Sequence, residues 1–319
     1  MRNLLIVCGL ASAGGCVQFA PEVVPDEPPP EIVAAPEPAE PEPAAPKRII
    51  EPPPPARISA VAIVLAGSNP AYTAVAEALV GELDESAVYD LGDRSRPPVT
   101  VLRAINDSPA RAVVAIGLRA AQSSVAMAEV PVVFSQVFNY QEHGLVTANS
   151  RGVAALPPVA IQLATFRDFD PSLKRIGTII GPGHDALIAD AEAAAAALGL
   201  ELVAHVSGSD QETLYHYRRM IRDIDGFWLL PDNRILSRRA LDEMLLEAGR
   251  RDVPVAVPND AMLAMGGSLS LSAVPADVAQ TIVRVLRQIE AGRFAGLPDV
   301  TALSEIRVQT PDSVRVADR

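Results

Sequence analysis

Arg175-Ile-Gly-Thr-Ile-Ile180 is a nearly continuous apolar run, and Gly181-Pro-Gly-His184 behind it is a glycine-rich turn. An alanine-rich stretch, Asp185 to Leu198, has helical character and ends at Gly199. A second apolar run follows, Leu200-Glu-Leu-Val-Ala-His-Val206. A further helix over 211–222 leads to a third, Gly226-Phe-Trp-Leu-Leu230, with Pro231-Asp232-Asn233 and another helix beyond. Short apolar runs alternating with helices of this length predict βαβ units on a parallel sheet. In such sheets ligands bind outside the carboxyl ends of the strands. That places the Gly181 turn and Asp232-Asn233 on one rim.

The same alternation fills the chain upstream. Apolar strands are expected over 58–66, 87–91, 111–116, 131–134 and 151–154, with helices over 71–83, 99–106, 118–128 and 158–166. Val75, Leu79 and Leu83 mark the inward face of the first helix. The loops behind these strands hold short polar residues that suit a ligand rim. They are Ser68 and Asn69, then Gly117, then Ser135, Gln136 and Asn139. Asp232 and Asn233 take the matching place in the second half, and Asn259 and Asp260 follow the Val255–Val257 run. Residues of these types also cap helices, by accepting a backbone N–H. His184, at a helix start, fits a neutral surface histidine.

Composition narrows the function classes. The chain has 319 residues, enough for about two domains, and a net charge of −12. Phosphate backbones require clustered Lys and Arg, so a nucleic-acid partner is not expected. Both cysteines, Cys8 and Cys16, precede the globular part, which therefore has neither a disulfide framework nor a thiolate metal site. The four histidines share no close ligand spacing, and no metal or other cofactor is expected. There is no G-x-G-x-x-G and no G-x-x-x-x-G-K-[ST]. Without a nucleophile elbow or a distinct carboxylate pair, no catalytic residue is assigned and no enzymatic activity is expected.

The N-terminus carries an address. Leu4 to Ala13 is an apolar run of about ten residues, too short to span a bilayer and of the length of a signal-peptide core. Small residues lead into Cys16, as in a bacterial lipoprotein signal over 1–16, with Cys16 the lipidated residue; the alternative is an ordinary secretory signal cleaved nearby. Leucine is usual three residues before that cysteine, and here it is Ala13. Val17 follows the cysteine, which by resemblance to Gram-negative sorting signals favours the outer membrane, facing the periplasm. Residues 17–56 form a Pro/Glu-rich tether, with 14 of the 29 prolines between Pro21 and Pro55. Proline removes donors and like charges repel, so such a segment stays extended. At ~3.1 Å per residue its reach is on the order of 110 Å.

Together the elements take the order of a two-lobed type I periplasmic binding protein. Each lobe is an α/β unit, a parallel sheet flanked by helices. Ala115-Ile-Gly-Leu-Arg-Ala-Ala-Gln122, Val130-Pro-Val-Val-Phe134, Gly144-Leu-Val146 and Arg151-Gly-Val153 resemble the first lobe of ABC-transporter substrate-binding proteins of the tryptophan-binding and related uncharacterised group. Leu173–Ile180, Ala197–Leu202, Asp225–Asn233, Val253–Ala256 and Ile289–Gly292 resemble their second lobe. The resemblance implies a first lobe over 57–157 with return segments from about 275–319, and a second over 158–274. Crossings are expected near 155–160, 268–275 and 296–304.

The implied function is a lipid-anchored receptor that closes on a small organic ligand, an amino acid or aromatic compound among them, and presents it to an ABC permease. The alternative is an outer-membrane envelope lipoprotein that uses this fold for protein–protein interaction or regulation, without transport. Two departures from the family matter here. Asn139-Tyr140 stands where Asp-Pro is usual, and Leu271–Asp277 lacks the usual aspartate-aromatic segment, with Ala279 at a glycine position. Part of a ligand-facing aromatic wall is therefore expected to be missing from the second lobe.

Overall fold

The structure is a computed structural model and describes residues 60–313. The signal over 1–16, Cys16 and the tether over 17–56 lie outside the described residues. The first sheet contains β1 (Val61–Leu65), β2 (Ser86–Asp90), β3 (Ala112–Ile116), β4 (Val132–Ser135), β5 (Ser150–Val153) and β11 (Val300–Thr301), in the order β2-β1-β3-β4-β5-β11. The second contains β6 (Arg175–Ile180), β7 (Glu201–Val206), β8 (Gly226–Trp228), β9 (Val255–Val257), β10 (Leu269–Ser272) and β12 (Arg307–Gln309), in the order β7-β6-β8-β9-β10-β12. All pairings are parallel except β10 with β12. Both sheets reverse direction of travel at their first strand, the switch point beside which α/β folds bind ligands.

The continuous apolar runs are the centres of these sheets. Every residue of β1 and β3 is buried, as expected of parallel strands covered on both faces. Helix α1 (Pro70–Glu82) starts where proline fixes φ at the first position and the Asn69 side chain accepts from Ala71 N–H. Its Val75 and Leu79 pack in one cluster with Val278, Ile282, Val283 and Leu286 of α8 (Pro275–Glu290). Fully burying such side chains stabilises by roughly 1.5–3 kcal/mol each. Helices α2 (Pro98–Asn106) and α3 (Leu118–Met127) cover the other face.

The second sheet is flanked by α4 (Val159–Phe169) and α5 (Asp185–Ala197) on one face, and by α6 (Asp210–Met220) and α7 (Arg238–Arg250) on the other. Alanine, the strongest helix former, lets α5 approach β6 closely through Ala191 and Ala195. Gly199, at φ 72°, ends it.

Three crossings join the lobes, at residues 154–158, 273–274 and 302–306. The third differs from expectation. The return to the first sheet ends with β11, and β12 goes back to pair antiparallel with β10. The strand is three residues long and half exposed, so no apolar run betrays it. Helix α7 also starts later than expected, at Arg238 with Ser237 as its cap, which leaves Asp232 and Asn233 in an irregular loop. Among the described residues no helix is long and apolar enough to cross a membrane.

Candidate functional site

A cleft of about 340 Å³ lies between the lobes, within the size range of small-molecule sites. It forms where loops leave the carboxyl ends of strands. The loops after β1 and β4 supply Asn69, Gln136, Asn139 and His143, and α1 supplies Tyr72. The loops after β8 and β9 supply Asn233 and Asn259 from the opposite lobe. Leu156 and Ala273 of the crossings, with Pro275 at the start of α8, complete its lining.

Of the ten rim residues singled out in the sequence, Asn69, Gln136, Asn139, Asn233 and Asn259 line this cleft. The other five have different surroundings. Ser68 donates to Asp90 at 2.9 Å on the exposed side of its loop. Gly117, at φ 87°, makes room for a neighbour, because a Cβ there would sit 2.7 Å from the Tyr72 ring. Ser135 is buried, and its Oγ has no hydrogen-bond partner among the described residues. Asp260 accepts from Ser270 at 2.6 Å and lies 3.4 Å from Arg307. Asp232 is fully buried and lies at a junction between the lobes.

That junction is built from the Gly181 turn and the β4 loop. The Asn139 amide, from the first lobe, donates to Asp232 Oδ1 at 3.1 Å and to Asn233 Oδ1 at 3.4 Å. Its carbonyl oxygen can only accept, so the His184 Nε2–H donates to it, at 2.8 Å. Phe138 stacks on the His184 ring with centroids 4.6 Å apart. Arg234 holds Asp232 through Nε at 2.9 Å and Nη2 at 2.7 Å, and reaches Glu142 of the first lobe at 3.0 Å. Gly181 N–H donates to Asp232 Oδ2 at 2.9 Å. A Cβ on Gly181 would sit 2.6 Å from both Asp232 Oδ2 and Arg234 Nη2, so the glycine is what allows this pair to seat.

Burial pushes the Asp232 carboxyl up, but hydrogen bonds from Arg234, Gly181 N–H and Asn139 outweigh it, and the group is held below the ordinary value. Burial, with Arg234 nearby, lowers His184 from its ordinary value and keeps it neutral. His184 is therefore not the surface residue expected. It is 7% exposed and bonded across the lobes.

Residues 91–306 match the family described as ABC transporter substrate binding protein. The chain belongs to this family. Among solved structures, the substrate-binding protein is similar to an ABC domain from Streptococcus pneumonia in complex with L-Trp (20% identity, 78% of this chain and 90% of that one, TM-score 0.53). It is similar to a conserved domain protein from Vibrio cholerae (19% identity, 80% and 92%, TM-score 0.55). It is also similar to the ligand-free, open form of a substrate-binding protein with adhesive properties from Clostridium difficile (14% identity, 82% and 95%, TM-score 0.60). At these identities the likeness is one of fold, the type I periplasmic binding fold. No curated protein matches the chain.

Several cleft residues were not singled out as rim residues in the sequence. Tyr72 sits on a helix whose apolar period suggested core, and His143 lies far along a loop. Arg234, at the lobe junction and outside the cleft lining, left a signal, a cation two residues from Asp232, but its role depends on Gly181, far away in sequence.

Proposed function

We propose that this substrate-binding protein holds a small organic ligand between its two lobes and presents it to an ABC permease from a lipid anchor at Cys16. The observation that carries the proposal is the cleft of about 340 Å³ with hydrogen-bonding side chains from both lobes. A ligand that touches both rims favours the closed arrangement by its differential affinity for it. The three crossings supply the hinge, and the Pro/Glu-rich segment supplies the reach from the membrane.

A thermal-shift screen of the full chain against amino acids, aromatic compounds and nucleosides tests the ligand claim. A compound at 100 times its dissociation constant should add ~2.7 kcal/mol. No shift across the panel would remove the transport reading. For the anchor, Cys16→Ser should release the protein from the membrane fraction, and retention there would contradict lipidation at this residue.

The Asn139 bridge favours a second reading, an envelope protein whose lobes are held by their own side chains and whose surface meets a partner protein. That reading expects the flat thermal-shift panel.

A further inference from the structure

The cleft's lining is selective in its chemistry. Tyr72 and His143 are its only titratable side chains, and among the described residues no Asp, Glu, Lys or Arg lines it. The carboxylates nearest the rim already have protein partners. Asp232 is held by Arg234 and Gly181, Asp260 by Ser270, and Asp90 by Ser68 and Gly92. A free amino acid would bring an ammonium and a carboxylate into this space with no opposite charge to meet either, and burying unpaired charge is costly. Five carboxamides face the cleft instead, Asn69, Gln136, Asn139, Asn233 and Asn259. Asn139 is engaged in the bridge, and the oxygens of Asn69, Asn233 and Asn259 accept from Ala71 N–H, the Asn139 amide and Met262 N–H, so these three present amide donors. Gln136 keeps an acceptor and two donors in one plane, a match for the adjacent donor and acceptor on the edge of a cyclic amide. Apart from His143 and Ser272 the remaining walls are apolar or aromatic, including Tyr72, Phe138, Pro231 and Pro258. Flat apolar faces with polar edges describe a heterocycle better than a sugar, which is polar all round.

A second observation points to the same place. Gln136 has φ 58°, the left-handed region that a side chain other than glycine occupies at a cost. The backbone is strained where a carboxamide enters the cleft, and such strain persists where the surrounding structure and its function require it.

We propose that the cleft is built for an uncharged, flat, hydrogen-bonding molecule of the nucleobase or nucleoside class, and not for free amino acids. The proposal rests on the cleft being a ligand site at all. Base rings stack readily on aromatic side chains because every base has a π-face. The carboxamides then read the edge, and leaving one of them unpaired weakens binding.

The test is calorimetric titration of the full chain with uridine and guanosine, with L-tryptophan and L-leucine, and with D-ribose. Saturable binding of a nucleoside, with none of the amino acids or ribose, is the expected result. Gln136→Gly should then weaken nucleoside binding at least about tenfold, the loss of one hydrogen bond from a buried site. Glycine is at ease at φ 58°, so this variant should unfold at or above the wild-type temperature, and lost affinity cannot be laid to misfolding. Binding of an amino acid or of ribose in place of nucleosides overturns this proposal and leaves the cleft-binding function standing. Nucleoside binding that Gln136→Gly leaves unchanged overturns it as well, because the ligand would then sit elsewhere. No binding by any of the three classes overturns both.

Discussion

The carboxylate of Asp232 accepts five hydrogen bonds, from Gly181 N–H, from Arg234 N–H, Nε and Nη2, and from the Asn139 amide. None remains for a ligand on the scale a charged substrate would need. The residue works instead as the centre of a bridge between the lobes. Removing it takes the buried partner from Arg234, which keeps only Glu142 and Pro182 O, and leaves the Gly181 N–H without its acceptor, and breaking such buried pairs costs about 3 kcal/mol. Asp232→Ala should lose roughly that much in urea unfolding, and a loss below about 1 kcal/mol would show that the bridge carries little.

His184 adds a pH dependence to the same bridge. Its folded pKa lies below the ordinary 6.5, so the folded state takes up the proton at lower pH than the unfolded chain. The stability it contributes is present above about pH 6.5 and is lost as pH falls through the folded value. Wild-type stability should therefore drop on acidification below about 6.5, and His184→Gln, which does not titrate, should show a smaller drop, the rest belonging to His205, which burial and His216 also lower. The burial of His184 was not legible in the sequence because its partner is Asn139, on the opposite lobe and 45 residues away. The glycine at 181 was legible. Its reason, room for the Arg234–Asp232 pair, belongs to tertiary packing.

The crossings are held by a few specific side chains. In α8, Asp277 is 3% exposed and binds Ser304 N–H at 2.8 Å, Ser304 Oγ at 2.6 Å and Glu305 N–H at 2.9 Å, which fastens the third crossing to the helix that leads out of the second. In α4, Gln162 donates to Pro157 O at 2.7 Å and accepts from Trp228 Nε1 at 3.0 Å, which ties the first crossing to the second sheet. Burial raises the Asp277 carboxyl, and the bonds from Ser304 and Glu305 more than reverse this. Its stabilisation is thus complete above the ordinary value of 3.8 and lost as pH falls below it.

Asp277→Ala should cost about 1–3 kcal/mol and speed amide exchange at Ser304 and Glu305, and unchanged exchange there would contradict the fastening role. Long apolar runs made the central strands legible, β6 to the residue. The edge strand β12 and the start of α7 were not. The first is set by pairing with β10, and the second by a loop that the Asp232 bridge holds in place.

At the scale of the molecule, two sheets of the same strand order face each other across loops from their carboxyl ends, joined by three crossings. The ordered family motifs made this architecture legible. Which rim residues meet the cleft and which serve the lobe junction depended on side-chain pairing across the lobes, as Asp232 and Asn233 show at adjacent positions: both accept from the Asn139 amide, and Asn233 also lines the cleft. The central claim is that one small ligand touches both lobes at once. Hydrogen–deuterium exchange of the full chain, with and without a compound found to bind, measures this directly. The predicted result is concurrent protection around Gln136–Asn139 in the first lobe and around Asn233 and Asn259 in the second. Protection confined to one lobe, or absent from both, would contradict it.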